Sequence, residues 1–158
     1  IHVAVITDGT APDRSYDLWR DMKNLQLMQR AKHQDTRLIP CGKALEMVTI
    51  EPARALGIDH LVGSLAVGKK ADVIAIDAQQ PHLAPFGPMP VQRLVYHAMG
   101  QDVNLVIVNG EIMMEGRTLT QIDEKQLIQD TKDVLAETLE RAGHPQVCDN
   151  PHLYDLRQ

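Results

Sequence analysis

Two apolar runs meet at an Asn-Gly pair in the stretch VNLVIVNGEIMME, residues 103–115. A type I′ turn needs a positive φ at both central residues, and Asn109-Gly110 adopts that conformation readily. The stretch therefore predicts a β-hairpin. The apolar run at residues 71–77 predicts a further strand, and residues 62–68 fit a turn, a short strand and a turn. Residues 60–120 thus predict a small sheet of short strands.

Helical spacing of apolar residues marks the segments that flank this sheet in sequence. The predicted helices are residues 16–32, 42–48, 49–57, 91–99 and 123–141. Ser15 or Asp13 is the candidate cap of the first helix, and glycines at 57 and 143 end the third and the last. The side chains expected to face inward are Leu18, Met22, Leu25 and Met28 in the first helix and Leu127, Ile128, Val134, Leu135 and Leu139 in the last.

The chain opens on an unbroken apolar run, residues 1–7, followed by Asp8-Gly9. Such a run without alternation is typical of a parallel strand buried on both faces. Asp8 would then lie at the carboxyl end of that strand, where barrels and open α/β sheets build their active sites. A carboxylate there can bind a divalent metal and accept a proton. The alternative is that Asp8-Gly9 only forms a turn.

Composition and length exclude several classes of protein. The net charge is −5 and Lys69-Lys70 is the longest basic run, so a nucleic-acid partner is not expected. No apolar stretch approaches the roughly 20 residues that span a bilayer. The distant Cys41 and Cys148 indicate reduced thiols in a cytoplasmic protein. With 158 residues and Ile1 at its start, the chain is too short for a complete (β/α)8 barrel of roughly 250 residues, and we expect it to be part of a longer one.

Several segments in this order resemble the C-terminal part of the amidohydrolase superfamily, and the resemblance covers residues 3–142. They are VITDG (5–9), ALEMVT (44–49), PARALG (52–57), GSLAVGKKADVI (63–74) and VIVNG (106–110). Within it, the chain most resembles the chlorohydrolase/deaminase branch, which comprises triazine hydrolases, guanine and cytosine deaminases, and adenosylhomocysteine-type deaminases. The resemblance implies an α/β fold: the last strand and helix of a (β/α)8 barrel, plus the C-terminal part of a small β-sandwich. Residues 1–60 would belong to the barrel, 61–120 to the composite sandwich, and 121–158 to a C-terminal helix and tail.

The resemblance also implies a role for Asp8. In such enzymes the matching aspartate is both catalytic and a metal ligand. It contacts one divalent metal, usually zinc or, as the second candidate, iron. It also takes a proton from the attacking water. No two of the seven histidines here make an HxH or HExxH spacing, so the remaining metal ligands would lie outside this chain. No other cofactor-binding residue is assigned. The loop Thr10–Arg14 departs from the family pattern, and Arg14 is a candidate partner for an anionic substrate group.

The resulting hypothesis is a metal-dependent hydrolase that acts on carbon–nitrogen bonds other than peptide bonds, by deamination or dechlorination of a heterocyclic or amidine-like small molecule. Its partners would be that substrate and a missing N-terminal barrel segment, in the same gene or on a partner chain; a homo-oligomer stays open. One alternative is a non-catalytic remnant or subunit with a sandwich interaction surface. Another is a dihydroorotase- or hydantoinase-like cyclic amidohydrolase, with two metals bridged by a carboxylated lysine.

Overall fold

The computed structural model describes residues 1–8 and 16–144. The chain divides into two compact units, Ile1–Thr120 and Gln121–Gln158. Within the described residues, the first unit holds four α-helices and a four-stranded sheet, and the second holds one long helix. The predicted loop Thr10–Arg14, the candidate caps Asp13 and Ser15, and Cys148 lie outside the described residues.

The first unit begins its regular structure with three helices: α1 (Leu18–His33), α2 (Cys41–Glu46) and α3 (Ile50–Ala55). A fourth helix, α4 (Pro90–His97), comes later in the chain. The α1 cap is Asp17, whose carboxylate accepts the backbone N–H groups of Trp19 and Arg20. At the end of α3, Gly57 takes the predicted left-handed conformation, with φ at +70°.

The core of this unit forms where α1, α2 and α4 meet, around Met22, Cys41, Ala44 and Val95. The predicted α1 stripe is wrong at Met28, which is 70% exposed. Gln26 is buried instead, because its side-chain amide donates to the carbonyl of Ile39. Its amide therefore compensates part of the cost of burial, which apolar spacing alone does not predict.

The sheet has four strands: β1 (Val73–Ile76), β2 (Val103–Val108), β3 (Glu111–Glu115) and β4 (Thr118–Leu119). They lie in the order β1-β2-β3-β4, and every neighbouring pair is antiparallel. The predicted hairpin is confirmed, with φ at +52° for Asn109 and +88° for Gly110. The amide of Gly110 also donates to the carbonyl of Ala71, at 3.0 Å, so the turn is tied to the residues before β1.

Two predicted strands are wrong. Residues 1–7 form no strand, and Val5 donates its backbone N–H to the carbonyl of Met47, which does not belong to a strand. A buried parallel strand needs a ladder partner, and the described residues supply none to this segment. Residues 62–68 form a bend and a turn with no strand between them, and Val67 is fully exposed. There Gly63 has φ at +87°, and a Cβ on it would lie 2.8 Å from Cβ of Ala53 in α3.

The second unit contains α5 (Glu124–Arg141). Asp123 caps it by accepting the N–H groups of Lys125 and Gln126, and Gly143 follows it with φ at +74°. The bounds agree with the prediction, but much of the stripe expected to face inward is exposed: Leu127, Ile128, Val134 and Leu135. In the described part of the chain, no helix combines the length and apolar character that crossing a membrane requires.

Candidate functional site

The main candidate from the sequence, Asp8, is an exposed residue at the end of the segment formed by residues 1–8. Its φ is +60°, in the left-handed region that aspartate tolerates better than most residues. The segment lies in neither a helix nor a strand, so regular secondary structure does not hold Asp8 in place. Its placement depends on contacts with other parts of the chain.

Two hydrogen bonds attach this segment to residues 41–55, which hold α2 and α3 and which we call the α2–α3 platform. The first runs from the Val5 backbone N–H to the carbonyl of Met47, at 2.9 Å. The second joins Nδ1 of His2 to Oε2 of Glu51, at 2.7 Å. Both contacts are nonlocal, and the second spans 49 residues of sequence. The segment that carries Asp8 is therefore fixed on the platform at two points.

Glu51 is the centre of a small charge network. Its side chain is only 8% exposed. While Oε2 faces His2, Oε1 accepts from Nζ of Lys43 at 2.8 Å and from the guanidinium of Arg54 at 3.4 Å. Lys43 also reaches Glu46 at 3.2 Å. One carboxylate thus connects the N-terminal segment, α2 and α3, and its buried position is compensated by opposite charge and hydrogen bonds.

The pKa values of this network follow from its contacts. The hydrogen bond from Lys43, and then that from His2, lowers the pKa of Glu51 to about 2 from its usual 4.5. The same contact with Glu51, together with that to Glu46, raises the pKa of Lys43. Glu51 and Lys43 are therefore both charged at neutral pH, and the ion pair between them persists across the physiological range.

Sequence reasoning missed both His2 and Glu51 as site residues. The histidines showed no ligand spacing, and a contact between residues 2 and 51 leaves no periodic pattern in the sequence. One local signal was available at Glu51, an acidic residue in the first turn of a helix, where the helix dipole favours negative charge. That signal explains the position of the carboxylate and does not identify its partners.

The described residues do not by themselves compose a metal centre. Among residues 1–8 and 16–144, no group of three or more His, Cys, Asp or Glu side chains could hold a metal ion. His82 and Asp102 form a pair and not part of such a group: Nε2 of His82 lies 2.9 Å from Oδ2 of Asp102. Asp102 also accepts the N–H of Met99, so this pair stabilises the chain before β2. Asp8 can supply a single carboxylate, and further ligands would have to come from outside the described residues.

A cavity of about 450 Å³ lies between α3 and β1. Its lining is mostly apolar and includes Pro52, Leu56, Val62 and Ile74. Neither Asp8 nor the other residues of the segment 1–8 line it. The cavity is therefore distinct from the candidate site.

Comparison with protein families and with curated proteins gives consistent matches. A model described as "Amidohydrolase family" matches residues 1–113. The chain is 37% identical over 139 residues to the 5-methylthioadenosine/S-adenosylhomocysteine deaminase of Acetivibrio thermocellus, covering 88% of this chain and 32% of that protein. It is 35% identical over 143 residues to the 5'-deoxyadenosine deaminase of Methanosarcina acetivorans, covering 90% and 32%. The chain thus spans about a third of the length of these relatives.

Solved structures are similar as well. An adenosine deaminase from Xanthomonas campestris, crystallised with bound zinc, superposes with a TM-score of 0.80 at 26% identity, covering 84% of this chain and 30% of that one. Atrazine chlorohydrolase from Arthrobacter aurescens TC1, in complex with zinc, gives a TM-score of 0.66 at 20% identity, covering 73% and 25%. At that identity the second likeness concerns the fold alone.

Proposed function

The chain belongs to the amidohydrolase family, and we propose that it forms the Asp8-bearing C-terminal part of an enzyme that hydrolyses a carbon–nitrogen bond of a small molecule by deamination. One observation carries this proposal: relatives named as deaminases are 35–37% identical to this chain over nearly nine-tenths of its length. Under the proposal, residues 1–60 complete a barrel whose other strands lie outside this chain, and those strands would supply the ladder partners that residues 1–7 lack among the described residues. Residues 61–120 would contribute to a composite sandwich, and residues 121–158 would form a helix and tail.

We propose an adenine-bearing nucleoside as the substrate class. The names of the relatives have an adenine base in common, with different groups at the 5′ position. The reaction would add water to the base and release its exocyclic amino group as ammonia. Dechlorination has weaker support, because it rests on a structural neighbour that is only 20% identical.

The proposed role of Asp8 is to supply one carboxylate ligand to a divalent metal. Zinc is the first candidate for that metal, and iron is the alternative. A single exposed carboxylate suits such a role, with the other ligands outside the described residues. When bound, the metal would supply Lewis-acid activation of water. The chain's own contribution is a base: Asp8 would accept a proton from the attacking water and pass it toward the departing amine.

The test is Asp8→Asn in the complete protein that contains this chain. The substitution keeps the size of the side chain and removes its basic oxygen. We expect kcat on adenine nucleosides to fall by about 10²–10⁴-fold, with reduced metal content by elemental analysis and unchanged circular dichroism. Asp130→Asn, on the exposed face of α5, is the matched control and should keep wild-type turnover.

Three outcomes would redirect the proposal. Wild-type turnover by Asp8→Asn would remove Asp8 from the chemistry. Two metals per site together with ring-opening activity would favour a cyclic amidohydrolase. A complete protein that neither binds metal nor turns over any of these substrates would favour a non-catalytic module.

A further inference from the structure

We propose that His2 and Glu51 are positioning residues for Asp8. This proposal rests on the proposed function of that aspartate. Their contact fixes residues 1–8 on the α2–α3 platform, and so determines where the Asp8 carboxylate is presented. Neither residue would touch the substrate. They would act through the course of the backbone between His2 and Asp8.

The positions of the two attachments support this role. His2 and Val5 are three residues apart, and each bonds to a different part of the platform, Glu51 in α3 and Met47 before it. Two separated attachments fix the direction of a chain segment as well as its location. Asp8 follows the second attachment by three residues, so a change at the first alters the path that leads to it.

The acceptor for His2 is itself rigidly held. The Glu51 side chain is largely buried, and its other oxygen is occupied by Lys43 and Arg54. Those two cations remain in place when the imidazole of His2 is removed, so Glu51 is not left as an uncompensated buried charge. The platform also packs closely against Gly63, where a Cβ would lie 2.8 Å from Cβ of Ala53. Loss of the imidazole therefore removes the first of the two attachments and leaves the platform folded.

A purely structural role would make a different prediction. If the contact only added stability, its loss would lower the melting temperature and leave kcat per folded molecule unchanged. If the contact positions Asp8, its loss lowers kcat and weakens metal binding at temperatures where the protein is fully folded. Catalytic geometry is sensitive to displacements of about 1 Å, which can cost about 10²-fold in rate.

The experiment compares variants of the complete protein. His2→Leu removes the imidazole and should lower kcat about 10-fold, with KM changed less than twofold, and should weaken zinc binding in a chelator competition. His2→Gln keeps an N–H donor and should recover at least half of the lost kcat. The matched control is Arg37→Leu, which breaks the exposed ion pair between Arg37 and Asp35. It should leave both kcat and zinc affinity unchanged.

Hydrogen exchange gives a readout that does not depend on the reaction. In His2→Leu, the amide of Val5, which donates to Met47, should exchange faster while those of residues 41–55 keep their wild-type rates. Wild-type exchange at the Val5 amide, or wild-type kcat and zinc affinity in His2→Leu, would overturn the positioning role. An inactive wild-type protein or a fully active Asp8→Asn variant would instead overturn the proposed function, and the exchange result would still decide whether His2 anchors the segment.

Discussion

Residues 1–8 and the β1–β4 sheet differ in what holds them together. The sheet is made of neighbouring antiparallel strands, and a two-residue turn joins β2 to β3. Residues 1–8 have no ladder partner among the described residues and bond to a platform that is more than 40 residues away in sequence. The strands β2, β3 and β4 are thus joined by local turns and β1 pairs with β2 from farther along the chain, whereas the segment with the candidate catalytic residue is held by distant groups alone.

This difference bears on how function is arranged in the chain. A hairpin with its own turn chemistry forms the same structure in many contexts. A segment held at two points by nonlocal contacts can be changed by single substitutions at the far end of either contact. The candidate site is therefore sensitive to residues such as Glu51 that would not themselves take part in the reaction.

The largest expected effect on stability comes from breaking the platform. In Gly63→Ala, the new Cβ would lie 2.8 Å from the Ala53 methyl and 3.1 Å from Cα of Ile50, at a residue with positive φ. Strain and overpacking together should cost about 3 kcal/mol, measured by denaturant unfolding of the complete protein. The control is Gly68→Ala, with φ at +91° but open space around it, which should cost about 1 kcal/mol. Equal losses in the two variants would show that close packing of Gly63 on α3 is unimportant.

A smaller effect is expected from breaking the sheet at its turn. Replacing Asn109-Gly110 by two alanines puts two Cβ-bearing residues in the left-handed region without the asparagine side chain or glycine. The cost should be about 2 kcal/mol in the free energy of unfolding, with amides 3–8 unaffected in hydrogen exchange. For comparison, Gly42→Ala in α2 meets no atom within 4 Å and should stabilise the protein by about 0.5–1 kcal/mol. Faster exchange at residues 3–8 in the turn variant would mean that the two regions are coupled.

The last effect concerns pH and tests whether Glu51 is the titrating group. Its pKa is lower in the folded state, at about 2, than its usual 4.5. A carboxylate with a lowered folded pKa contributes stability above its unfolded pKa and loses it as pH falls through the folded value. The difference in unfolding free energy between wild type and Glu51→Gln should therefore shrink as the pH falls from 4.5 toward 2. A difference that does not change with pH would exclude Glu51 as the titrating group.

The sequence predicts the elements whose signals are local. The Asn109-Gly110 pair identifies the hairpin, Asp123 and Gly143 delimit α5, and Gly57 ends α3. The strands expected at residues 1–7 and 62–68 are wrong because strand pairing depends on partners elsewhere in the chain. For the candidate site, the chain position of Asp8 is a sequence inference, and its role stays a prediction. The charge network around Glu51 could not be inferred, because it joins side chains that no local pattern relates.

The 49-residue separation between His2 and Glu51 has a further consequence, in chain entropy. Closing a loop costs free energy that rises with the logarithm of its length. A separation of this size costs about 2 kcal/mol more in a flexible chain than closing a four-residue hairpin turn. The hydrogen bonds of His2 and Val5 must offset a closure cost of that size. The corresponding cost for the Asn109-Gly110 turn is small, because its loop is short. The fraction of molecules in which Asp8 is held in place therefore depends steeply on the strength of either attachment.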